Sequence, residues 1–125
     1  MTENEIAAII VDISFKVHSS LGPGLFESVY EAVIAYELDQ CGLRVDRQKP
    51  IPVTWNGVRL DQGFRADLIV DEKVIVEIKS VEAISPVHFK QVLTYLRLTG
   101  LKLGILVNFN ESLIKNGLHR IVNNL

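Results

Sequence analysis

The chain has 125 residues, 48% of them hydrophobic but only 7% aromatic, so aliphatic side chains must build its core. A net charge of −2 gives no overall nucleic-acid footprint and counts mildly against a binder that relies on electrostatics alone, whereas an enzyme with an acidic metal site needs only a local basic rim. The single cysteine, Cys41, excludes an internal disulfide, no apolar run approaches the ~20 residues of a membrane span, and the acidic N-terminus lacks the basic region of a signal peptide. The expectation is one cytoplasmic domain, residues 1–125, with Cys41 as a buried apolar filler.

Ile6, Ile10, Ile13 and Val17 recur at helical spacing and predict a helix over about residues 3–20, capped by Thr2 or Asn4. His18 falls in its last turn, where a cation suits the helix dipole, and reads as structural. Leu21-Gly22-Pro23-Gly24 is a turn. It is not a phosphate loop, because no Gly-Lys-Ser/Thr follows. A second helix is expected over about residues 26–40, stopping before Gly42, with Val29, Val33 and Tyr36 available for packing. Glu27, Tyr30, Glu31 and Ile34 share one side of it. Glu27 alone is explained by the helix dipole, which favours an acid in the first turn.

Residues 43–48 alternate loosely as a strand, which Lys49-Pro50-Ile51-Pro52 should interrupt. Residues 53–60 then read as a hairpin, since Asn56-Gly57 readily adopts a type I′ turn. Trp55 is expected to cover core rather than stack on a base. Arg44, Arg47, Lys49, Arg59 and Arg65 read equally as a phosphate-tracking rim or as ordinary surface charge.

Residues 64–80 hold two β-branched runs around Asp71-Glu72-Lys73, the pattern of a tight hairpin. A three-residue loop sets Val70 against Val74, and stepping back along the ladder brings Asp67 opposite Glu77. Glu77 and Lys79 share one face, while Val76 and Ile78 point to the other. Two facing carboxylates ~5 Å apart repel by roughly 3 kcal/mol at an effective dielectric of ~20. A hard divalent cation would offset that better than Lys79 could. The competing view, a solvated edge strand, fits poorly with the apolar runs on both faces.

Ser85-Pro86 starts a helix that runs to Thr99 and stops at Gly100. Phe89, Val92, Leu93 and Leu96 make its packing arc, with His88, Gln91 and Tyr95 on an adjacent arc. Residues 103–109 form a buried strand parallel to residues 74–80, because a helix connects the two. A short amphipathic segment around residues 111–115 follows, and His119-Arg120-Ile121-Val122 suits an edge strand. His18 and His119 lack partners at zinc-ligand spacing.

Asp67 followed by Glu77-Ile78-Lys79 resembles the PD-(D/E)XK nuclease superfamily, with Ala66 where the nominal proline would stand. Gly24-Leu25-Phe26-Glu27-Ser28-Val29-Tyr30 resembles the name-giving motif of its small GxxExxY family, and Gln91 with Tyr95 resembles the Q-x-x-x-Y pair of RecB-type nucleases. The resemblance implies an α/β, restriction-endonuclease-like core, a small mixed sheet flanked by helices. It implies a Mg²⁺- or Mn²⁺-dependent nuclease cutting phosphodiester bonds, with DNA favoured over RNA as partner and no membrane. Asp67, Glu77, the carbonyl of Ile78 and Glu27 would be metal ligands. Asp67, Glu77, Lys79, Gln91 and Tyr95 would be catalytic, and Tyr30, Arg65 and His88 would contact substrate. Two alternatives stand beside this: a Holliday-junction-resolvase-like enzyme acting as a homodimer, and a catalytically silent binding module of the same fold.

Overall fold

The computed structural model describes residues 1–125, the side chain of Gln62 excepted. Helix α1 (Glu3–Leu21) starts in a capping box: the Glu5 N–H donates to Thr2 Oγ1 at 3.2 Å and the Thr2 N–H donates to Glu5 Oε1 at 2.9 Å. It buries Ile6, Ile10, Ile13 and Val17, as their spacing predicts, and ends at Gly22, whose φ of 70° suits glycine. Helix α2 (Glu27–Gln40) buries Tyr30, Glu31, Ile34, Ala35 and Leu38. Val29 and Tyr36, expected to pack, are instead exposed. Apolar residues lie all round this helix, so periodicity does not choose its inner face. Docking against α1 and the sheet does.

Five strands follow: β1 (Val45–Trp55), β2 (Val58–Val70), β3 (Val74–Lys79), β4 (Leu103–Asn108) and β5 (Leu118–Val122), with α3 (Pro86–Thr99) between β3 and β4. They stand side by side in chain order. Neighbours are antiparallel except β3 and β4, which α3 makes parallel by carrying the chain back to the start of the sheet. One cluster of buried residues lies between the sheet and α1 and α2, and a second lies under α3. This is the mixed sheet flanked by helices that the sequence implies.

Three local expectations need correction. β1 runs through Pro50 and Pro52 as one strand, but its pairing with β2 shifts register between Ile51 and Val53; an outer strand tolerates prolines at its open edge or at such an irregularity. Cys41 is exposed at the end of α2 rather than buried. Trp55 covers no core: it sits beside the Asn56-Gly57 turn, 68% exposed. The turn itself is as expected, pairing Trp55 with Val58 through two residues of positive φ.

Gly104 on β4 shows how closely α3 approaches. A Cβ there would lie 2.6 Å from Cγ1 of Val92. Gly104→Ala is therefore expected to cost about 1–3 kcal/mol in urea unfolding. An unchanged midpoint would mean that α3 can shift away freely.

Candidate active site

The β2–β3 hairpin pairs Val70 with Val74, Ile69 with Ile75 and Leu68 with Val76, the register read from the sequence. The ladder stops where Asp67 and Glu77 would come next, and their carboxylates take over from backbone pairing. Asp67 Oδ2 accepts the Ile78 N–H at 2.8 Å, and Glu77 Oε1 accepts the Asp67 N–H at 3.4 Å.

A reversal of faces accompanies this break. Leu68, Val70 and Val45 pack towards α1 and α2, whereas Ile51 and Ala66 lie in the cluster under α3. Strict alternation would keep Leu68 and Ala66 on one face. The hairpin turns over at Gln48 and Asp67, where Gln48 takes a left-handed φ of 49°. Asp67 is thus aimed at the gap between β2 and β3 instead of simply sharing a face with Glu77.

Gln48 also ties this point to α2. Its Nε2 donates to Asp67 Oδ1 at 3.1 Å and to Glu31 Oε1 at 2.5 Å. Glu31, 7% exposed, further accepts from Arg47 Nη2 at 3.1 Å and Nε at 3.3 Å. A buried carboxylate needs such partners. Neither Glu31 nor Gln48 stands out in the sequence as part of the site. A buried-face acid on α2 was visible, but its partner depends on the unforeseen twist of β1.

Glu77 is 5% exposed. Burial, then the charge of Asp67 and a hydrogen bond to it, pushes its pKa up to about 9 against the smaller opposing pull of Lys79. At neutral pH a proton therefore relieves the repulsion between the two acids. Lys79 is half-buried, and no carboxylate lies within 4 Å of its ammonium among the described residues. In an extended strand a residue's N–H and C=O point to the same side, so the Ile78 carbonyl also faces the β2 side of the gap.

Tyr95 joins from α3, 8% exposed and tilted against Phe64 at 5.1 Å. Burial and the charges of Glu77 and Asp67 raise its pKa, so it remains a hydrogen-bond donor. Of the expected packing arc of α3, Val92 and Leu96 are buried and Phe89 packs against their cluster, while Leu93 is only partly covered and Tyr95 takes the remaining buried place. Gln91 is half-buried one turn earlier. His88 Nδ1 accepts the Ser85 N–H at 3.1 Å, which leaves the ring proton to Nε2. Arg65 is exposed, and its Nη1 donates to the Gln48 carbonyl at 3.3 Å.

Two residues of the α2 motif take other positions. Glu27 Oε2 accepts the Ser80 N–H at 3.0 Å, just past the end of β3, and the described residues contain no cluster of three or more acid, histidine or cysteine side chains. Tyr30 is wholly buried, stacked on Phe109 at 4.4 Å, with its hydroxyl donating to the Gly22 carbonyl at 2.6 Å and accepting the Leu25 N–H at 3.2 Å. It has no surface with which to meet a substrate, so the contact expected of it is corrected to a structural one. The Ser80 hydroxyl donates to the Leu25 carbonyl at 2.7 Å, and buried Asn108 holds Val81 through Oδ1 at 3.1 Å and Nδ2 at 2.9 Å. Glu27, Ser80 and Asn108 thus pin the chain on leaving β3, which fixes the backbone beside Lys79.

Cavities of about 530 and 540 Å³ lie elsewhere, between α1 and β5 and beside the Gly22-Pro23 turn. Neither holds a cluster of acids. The acid pair is marked by its chemistry: two carboxyl groups at one opening of the ladder, the pKa of Glu77 pushed up to about 9 by burial and by Asp67, with a backbone carbonyl at the same gap. This all-oxygen donor set fits a hard divalent cation completed by water. No helix among the described residues is long and apolar enough to cross a membrane.

Comparison with curated proteins and with solved structures yields no significant match. Comparison with protein families does: residues 4–121 match the family described as the PD-(D/E)XK nuclease superfamily, whose members are generally divalent-metal dependent and act on nucleic acid. The acid pair on the β2–β3 hairpin, followed by Ile78 and Lys79 and backed by α3, stands within a match of almost the whole chain, and the chain belongs to the PD-(D/E)XK nuclease superfamily.

Proposed function

We propose that the chain is a metal-dependent nuclease of the GxxExxY family, one domain of residues 1–125 acting in the cytoplasm, with DNA favoured over RNA. The observation that supports it most is the meeting of Asp67 and Glu77 where the β2–β3 ladder opens. These carboxylates and the Ile78 carbonyl would hold Mg²⁺ or Mn²⁺. When bound, the ion supplies Lewis-acid polarisation of the scissile phosphate and lowers the pKa of water.

The chain's own residues would do the rest. Lys79, without an ion-pair partner, orients the attacking water or meets the charge that builds on the phosphorus oxygens. Tyr95, kept protonated, donates a hydrogen bond beside the acids, and Gln91 sets its amide one turn away on the same side of α3. His88 Nε2 and Arg65 would contact flanking phosphates. Glu27 acts at one remove by fixing the Ser80 backbone.

The test is a panel of single- and double-stranded DNA and RNA, incubated with Mg²⁺, Mn²⁺ or chelator. Metal-stimulated cleavage should fall at least about a hundredfold in Lys79→Ala and in Asp67→Asn. Activity surviving both substitutions would assign cleavage to another site or to a contaminant. Binding without cleavage of any substrate would instead identify a silent module.

A further inference from the structure

The β1–β2 hairpin continues well past the acid pair. Ile51 and Phe64 are still anchored beside α3, but residues 54–61 are exposed on both faces of a two-stranded ribbon. Directly paired residues share a face, so Trp55, Val58 and Leu60 form one apolar side of it, 68%, 57% and 40% exposed. The other side presents Thr54 and Arg59, the latter pairing with Asp61 at 3.1 Å in full solvent, where such a pair binds weakly. Residues 44–65 carry five basic and two acidic side chains, a net +3 in a chain of net −2. Positive charge is therefore gathered on this hairpin, and the rest of the protein is acidic.

A second copy pairing ribbon to ribbon is a poor occupant, since it would bring the same positive charge to the contact. Duplex nucleic acid would use the charge but leave the apolar face and the tryptophan idle. An unpaired strand uses both, because exposed bases stack on aromatic rings while phosphates follow a basic track. Building on the nuclease reading, we propose that residues 49–65 are an arm for single-stranded nucleic acid. Trp55 stacks on an unpaired base, Lys49 lies on the same side of the hairpin, and Arg59 and Arg65 on the opposite side take the phosphates as the strand crosses the ribbon edge towards Asp67 and Glu77. Phe64, in contact with Tyr95, joins the arm to the site.

Trp55 is the sole tryptophan, so its fluorescence reports on the arm directly. In chelator, which prevents cleavage, an oligothymidylate should quench it saturably and a duplex of equal length should do so far more weakly. By anisotropy of a labelled oligonucleotide, Trp55→Ala should bind about tenfold or more weakly and Trp55→Phe should recover most of the loss. Neither should change the melting temperature. Replacing both Arg59 and Arg65 by alanine should flatten the log–log salt dependence by about 1.4.

Absent quenching with unchanged affinity in Trp55→Ala would overturn the proposal. So would equal quenching by duplex, or an altered oligomeric state in Trp55→Ala with unchanged oligonucleotide binding. The two readings fail separately. Single-strand quenching without cleavage by the wild type keeps the arm and sinks the nuclease, whereas cleavage with unaltered binding in Trp55→Ala does the reverse.

Discussion

Glu77→Gln is expected to make the metal-free protein more stable at pH 8 while silencing it as a nuclease. In the fold the Glu77 pKa stands at about 9, against 4.5 as its ordinary value, chiefly because the carboxyl is buried and faces Asp67. Between those two values the folded chain binds one more proton than the unfolded chain. Stability in chelator must therefore fall as pH rises from about 5 to about 9, by at most about 1.4 kcal/mol per pH unit. Glutamine resembles the protonated acid and removes that slope. The gain at pH 8 should reach roughly 2–5 kcal/mol, vanishing near pH 4.5. Urea unfolding of both proteins at several pH values, always in chelator, measures it, and parallel pH profiles would refute the assignment. The same proton must leave when a divalent cation enters, so wild-type affinity for Mg²⁺ should strengthen with pH up to about 9.

Tyr30→Ala should bring the largest loss of stability, about 3–5 kcal/mol, because it empties a fully buried aromatic site against Phe109. Tyr30→Phe keeps the stack but strands the Gly22 carbonyl and the Leu25 N–H, at a cost of about 1 kcal/mol. Loop 22–25 supplies the Leu25 carbonyl to Ser80, so cleavage should weaken in Tyr30→Phe even where the protein remains fully folded. Urea midpoints together with turnover at low temperature separate the two effects. A Tyr30→Ala midpoint within 1 kcal/mol of wild type would show that the ring is not the keystone of this corner.

Much of this arrangement is legible in the chain because local signals and tertiary structure agree. Asp71-Glu72-Lys73 sets the Val70–Val74 register, Asn56-Gly57 makes its turn, Ser85-Pro86 opens α3 and Gly100 closes it in the left-handed region. Asp67 and Glu77 come together by counting residues from a turn. What counting misses is set by packing at a distance. The inner face of α2 is chosen by α1 and the sheet, and the turnover of the hairpin rests on the left-handed Gln48, a residue type that gives no such warning. Glu31 and Asn108 read as ordinary polar residues until their partners, far off in sequence, are in place. Glu27 lies at the end of β3 because an acid in the first turn of a helix is free to serve any nearby N–H, and the nearest is Ser80.

Because the five strands lie in the order in which they are synthesised, no later strand has to be threaded between two that are already joined. The β1–β2–β3 meander forms through short connections, one crossing by α3 adds β4, and β5 closes by returning alongside it. Within the sheet itself only the crossing by α3 is long, whereas the docking of α1 against the C-terminal segment has to wait for the whole chain. The hairpin that carries Asp67 and Glu77, lying within the first three strands, can take its register before the far edge of the sheet exists.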